Sequence, residues 1–162
     1  MIPSPQQLNL PHDDWRPGQY EAVQAIQNSR KPIVLLDAVT GSGKTSLALA
    51  LGNNGKSVRA LTFTRSLQAQ YATYPRTQAL YGLNAYPCEL LNNIMTADMC
   101  AFGSNMLKCD HAASGRCQYV NQREITRISD RQALSYQYYF NASWVHKENA
   151  VADYLYCDEA HS

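Results

Sequence analysis

The sequence predicts an α/β domain organised on a parallel sheet, and three observations carry that expectation. The apolar run "KPIVLLDAV" at 31–39 passes directly into a glycine-rich turn and an apolar helix, "TGSGKTSLALALG". A second strand-then-helix pattern follows in "KSVRALTFTRSLQAQYATY", and a third apolar strand in "DYLYCDEAHS" ends on two carboxylates. Strands that alternate with helices are joined by crossovers, which set the strands parallel and wind helices over both faces of the sheet.

Composition bounds what such a domain does. The 162 residues make one domain of ordinary size, with 45% hydrophobic content to form a core. A formal net charge of +1 excludes overall charge as the basis of nucleic-acid binding, which must then come from local patches. The start "MIPSPQQLNLPHDDW" lacks the basic and apolar regions of a secretory signal, and no run approaches the ~20 apolar residues of a membrane span. A cytosolic location with reduced thiols is expected, so the five cysteines read as ligands or core residues and not as a disulfide framework.

In chain order, a tail at 1–14 precedes "RPGQYEAVQAIQNS", which spaces Tyr20, Val23 and Ile26 on one helical face behind a Pro-Gly turn. The β-branched run "KPIVLLDAV" suits a strand buried on both faces. Thr40, Gly41, Ser42 and Gly43 then form a loop whose amides turn inward at a phosphate, at the N-terminus of a helix that closes at Gly52. Lys44 reaches the β- and γ-phosphates of ATP, and the Thr45 hydroxyl ligates Mg²⁺. Ala38 stands where the phosphate-loop pattern has its first glycine. The second strand spans about Val58 to Phe63, and Thr64 caps the helix after it. The last strand delivers Asp158 to hold Mg²⁺, with Glu159 beside it to orient and deprotonate the attacking water. Cys157, on that strand, reads as a core thiol.

Lys44 and Asp158 are 114 residues apart, more than two strand–helix units need. The surplus holds Cys88, Cys100, Cys109 and Cys117, separated by eleven, eight and seven residues in a loop-rich stretch. Four thiolates there can hold a metal centre in place of a hydrophobic core. Zinc sites usually bring cysteines in close pairs, and none occurs here; wide spacing is easier to reconcile with a [4Fe–4S] cluster, with Zn²⁺ or scattered core cysteines as the alternatives. His111 lies between two of these cysteines, as a substitute ligand or an exposed loop histidine. Beyond them, Arg123, Arg127 and Arg131 are spaced four apart, as on one helical face. That face is either solvated and paired with Glu124 and Asp130, or a contact for a nucleic-acid strand. The aromatic "SYQYYFNASW" packs a core or seam, or stacks on bases.

Together, Gln19 in "RPGQ", the loop "AVTGSGKT", the segment "LTFTRSLQAQY" and the terminal "DEAH" resemble, in order, the first four motifs of superfamily 2 helicases. The stretch from "NAYPCELL" to "GRCQYVNQRE" resembles the iron–sulfur domain of the XPD and DinG helicases. The resemblance implies an incomplete, RecA-like first motor domain at 15–80 and 123–162, with a small helical and loop-rich iron–sulfur insert at 81–122. It implies that Gln19 reads adenine, that Thr64 and Arg65 touch single-stranded or forked DNA, and that Arg123 and Arg127 border the strand's path. His161 would couple nucleotide state to a second motor domain, and the complete enzyme would unwind DNA 5′-to-3′. Without that second domain's arginine finger, phosphoryl transfer slows by about 10³–10⁵-fold, so the chain alone is expected to be nearly inactive. Its last strand is expected to be an exposed edge. The other function class is a nucleotide- and nucleic-acid-binding accessory module without motor activity.

Overall fold

The computed structural model describes residues 2–10, 12–39, 41–53, 55–100, 109–141 and 152–158. Four strands, β1 (Val58–Thr62), β2 (Thr77–Leu80), β3 (Arg131–Ser135) and β4 (Tyr154–Cys157), form one sheet in the order β2-β3-β1-β4, with every pair parallel. The helices are α1 (Gln19–Asn28), α2 (Lys44–Leu51), α3 (Arg65–Ala72), α4 (Asp110–Ala113), α5 (Gln118–Arg127) and α6 (Tyr136–Asn141). The α/β class and the parallel sheet are those the alternating pattern predicts.

Strand register decides what each face can bury. Ala79, Ala133, Ala60 and Tyr156 form one row across the sheet. The three alanines let helices approach closely, and Val23 of α1, Leu47 to Leu51 of α2 and Tyr71 of α3 close over them. Helix α2 is buried from Ser46 to Leu51, as an all-apolar helix must be, and ends at Gly52 as predicted. On the opposite face Leu80, Leu134 and Leu61 form the corresponding row, covered by Tyr86, Ala97 and Tyr119. The cysteine-bearing stretch, built from short turns and α4, is thus seated on the sheet through Tyr86 and Tyr119. Thr64 caps α3 as predicted, its Oγ1 accepting from Leu67 N at 3.3 Å.

Four expectations are corrected. Residues 31–39 form no strand, and Ile33 and Leu35 are 77% and 93% exposed. An apolar run specifies burial but no hydrogen-bonding neighbour, and among the described residues nothing pairs with this one. Tyr20 is exposed; the inward stripe of α1 runs through Gln19, Val23 and Ile26, with a polar residue in the place expected for an aromatic one. Arg131 is not on the helix of Arg123 and Arg127. Helix α5 ends at Ile128, and Arg131 opens β3, buried, donating from Nε to Gly52 O (3.0 Å) and from Nη1 to Pro75 O (3.2 Å). Its neighbour Asp130 pairs with Arg76 instead of an α5 arginine. Cys157 is exposed and not a core thiol, because β4 is an edge strand with neighbouring β1 on one side only. The edge expected of the last strand is therefore present. Among the described residues, no helix is long and apolar enough to cross a membrane.

Candidate functional site

The glycine-rich loop enters α2 with Gly41 and Gly43 at φ +82° and +84°, conformations that L side chains rarely adopt. Gln19, only 4% exposed, braces it from behind: Nε2 donates to Ser42 O at 2.6 Å and Oε1 accepts from Arg16 N at 3.0 Å. A Cβ on Gly43 would strike Gln19 Nε2, so the glycine is required by the approach of this amide as well as by its own φ. Arg16 Nη1 adds a bond to Gly41 O at 2.6 Å. Lys44 Nζ donates to Ala38 O (2.9 Å) and Val39 O (3.3 Å), both neutral carbonyls. Thr40 lies outside the described residues.

The two residues assigned to Mg²⁺ come together through a third that the sequence reading missed. Asp158 is buried at the end of β4, its amide bonded to Leu61 O at 3.0 Å. Tyr71 donates its hydroxyl to Asp158 Oδ2 at 3.1 Å, and the Thr45 side chain lies close enough to act on the same hydroxyl. Burial first, and then the neighbouring Asp158 charge, push the Tyr71 hydroxyl far above its ordinary pKa, so it stays a donor. Burial and Asp158 raise Tyr156 in the same way. A signal for Tyr71 exists in the sequence: Gln68 and Tyr71 are three apart, on one face of α3, and both are buried. Glu159 and His161 lie outside the described residues.

Cys88, Cys100, Cys109 and Cys117 all line a single cavity of about 420 Å³, its mouth included. Each sits at the end of a turn: Cys88 and Cys100 flank short 3₁₀ turns, and Cys109 and Cys117 precede α4 and α5. None is in a disulfide. His111 lines the same cavity, half-buried and not an exposed loop residue, and its Nδ1 is buried without a hydrogen-bond partner. Among the described residues no three His, Cys, Asp or Glu side chains are grouped to hold one metal ion. Four thiols around one cavity are a donor set that a [4Fe–4S] cluster and a tetrahedral zinc both take.

The proposed nucleic-acid residues fall into two places. Thr64 Oγ1 is engaged in capping and with Ser66 Oγ (3.1 Å), while Arg65 Nη2 reaches Asn84 Oδ1 at 3.3 Å. Arg123 and Arg127 flank Glu124, at 3.5 and 2.9 Å. The bond from Arg127 holds the Glu124 carboxyl below its usual range. Both arginines line a second cavity, of about 360 Å³ with its mouth, which Thr64 and Arg65 do not line. Comparison of the chain with protein-family models, with curated proteins and with solved structures finds no match.

Proposed function

We propose that this chain is the nucleotide-binding, iron–sulfur-bearing portion of an ATP-dependent DNA helicase with a RecA-like first motor domain. The observation that carries the reading is the convergence of Cys88, Cys100, Cys109 and Cys117, spread over thirty residues, on one cavity seated against the sheet. The linkage of Thr45 to Asp158 through Tyr71 supports its nucleotide half.

Gly41, Ser42, Gly43 and the N-terminus of α2 cradle the phosphates of ATP, and Lys44 exchanges its two carbonyl partners for phosphate oxygens. Thr45 and Asp158 hold Mg²⁺, which when bound neutralises charge on the β- and γ-phosphates. Tyr71 fixes the separation of these two ligands, and Glu159 takes the proton of the attacking water. Gln19 sets the position of the loop and, through it, senses the nucleotide. The four cysteines hold a [4Fe–4S] cluster that orders the turns between Tyr81 and Gln118. Thr64 and Arg65 engage single-stranded DNA, and unwinding 5′-to-3′ belongs to the assembly with a second motor domain.

Anaerobic purification followed by iron, sulfide and zinc analysis tests this. About four irons and four sulfides per chain with a charge-transfer band near ~400 nm are expected. Stoichiometric zinc without sulfide, or a folded protein with no metal, overturns the iron–sulfur assignment.

A further inference from the structure

The second cavity lies on the face of the sheet opposite the glycine-rich loop. Its floor is Arg59, which takes an inward position in the central strand β1, level with Gln132 of β3. That place would ordinarily hold a Val, Ile or Leu; a buried arginine is the exception that asks for a reason. Arg59 is 8% exposed, and its Nε is buried with no hydrogen-bond partner and no ion pair among the described residues. Arg123 Nε, on the wall of the same cavity, is likewise buried and without a partner. Arg127 completes the set at the mouth. Against these three guanidinium groups the only carboxylate paired among the described residues is Glu124, which is half exposed to solvent, so these four groups carry a net charge of about +2.

A buried cation without a counter-charge is strongly unfavourable unless something else supplies one. Guanidinium groups present planar forks of N–H donors that match phosphate oxygens bidentately. We propose that Arg59, Arg123 and Arg127 form a phosphate-binding site, separate from the nucleotide loop. None of its residues belongs to the loop, to α2 or to β4; a nucleic-acid strand bound there would deepen the helicase reading, which sets Arg123 and Arg127 beside the strand, whereas free phosphate would stand apart from it. Two sources present this chemistry, the phosphodiester of a nucleic-acid strand and a free phosphate.

The test is thermal unfolding of the full chain with inorganic phosphate and, separately, with a deoxythymidine 15-mer lacking terminal phosphates, in the wild type and in Arg59→Met. In the wild type at least one of the two ligands raises Tm. In Arg59→Met the unliganded Tm is equal or higher, because an unpaired buried charge is gone, and the ligand-induced rise is lost. A response to the 15-mer alone identifies the strand backbone; a response to inorganic phosphate identifies free phosphate, and either supports the site. If the strand is the ligand, its affinity falls about tenfold and the slope of log K against log salt flattens by about 0.7. Arg127→Met, at an exposed position, likewise loses the ligand-induced rise, and serves as the test should Arg59→Met fail to fold. Lys44→Ala keeps the rise while losing ATP affinity, so failure of the helicase reading and failure of this site are distinguishable. Equal ligand responses in wild type and in the folded variants, or no response from the wild type, overturn the proposal.

Discussion

Asp158 and Arg59 are charged side chains buried on opposite faces of the sheet, and the two are treated differently. On the face of α2 and α3, Asp158 is answered from within the chain, by the Tyr71 hydroxyl at 3.1 Å. On the face of α5 and α6, Arg59 Nε has no such answer among the described residues, and two more arginines line the same cavity. The lesson is that burial alone does not distinguish a settled core polar group from a binding group; the partner does. A settled group loses stability when its partner is removed, whereas an unanswered one gains stability when it is itself removed.

Several substitutions break or sharpen that contrast. The largest effect is expected from Lys44→Ala, which removes the loop's one cation: nucleotide affinity falls by at least about 100-fold, read by equilibrium dialysis, while the fold is retained because Lys44 bonds only to loop carbonyls. Unchanged ATP binding would remove the phosphate-loop assignment. Next is Cys109→Ser on the other face, the most buried of the four cavity cysteines. Iron content falls severalfold, and amide exchange in residues 81–117 accelerates while the β1 and β3 amides keep their protection, because metal binding and local folding share one free energy there.

Tyr71→Phe keeps the ring and deletes the hydroxyl that joins Thr45 to Asp158. Stability falls by about 1.5–3 kcal/mol, the range for a hydrogen bond to a charged group, and Mg²⁺-dependent nucleotide affinity drops more than metal-free affinity. Equal losses with and without Mg²⁺ would make Tyr71 a packing residue only. The smallest effect is at the rim, where Asp153 holds the start of β4 to β1 through Lys56 Nζ (2.8 Å) and Ser57 N (2.8 Å). The Lys56 hydrogen bond leads in lowering the Asp153 pKa to about 2, with the Ser57 amide next. A depressed carboxylate stabilises the fold above its unfolded pKa of about 3.9 and loses that contribution as pH falls toward 2. Between those values the wild type therefore loses stability faster than Asp153→Asn, as acid titration followed by circular dichroism would show.

What the sequence discloses here is what local physics decides. The span of α2, its end at Gly52 and the Thr64 cap depend on near neighbours, and the pattern of residues reveals them. The fate of 31–39 depends on which strand, if any, lies beside it, a matter of long-range pairing on which an apolar run is silent. Arg131 was placed by counting fours along a helix, but the chain leaves the helix at Ile128 with no glycine or proline to mark the exit. The cysteines show both limits: spacing gives their number and argues against close pairs, while their meeting around one cavity depends on how Tyr86 and Tyr119 seat the turns on the sheet. Nothing in "VRALT" tells which face Arg59 occupies or what surrounds it.

The outer side of β4 has a consequence for the protein in solution. Among the described residues its backbone has no neighbour there, Leu155 is 47% exposed, and Ile33, Leu35 and Val39 present further apolar surface to water. An unpaired edge is a template for another chain, and an exposed β-branched run is the kind of segment that adds to it. Self-association should therefore rise steeply with concentration, visible as light scattering in dilution series, and Leu155→Lys should suppress it by placing a charge on the edge strand.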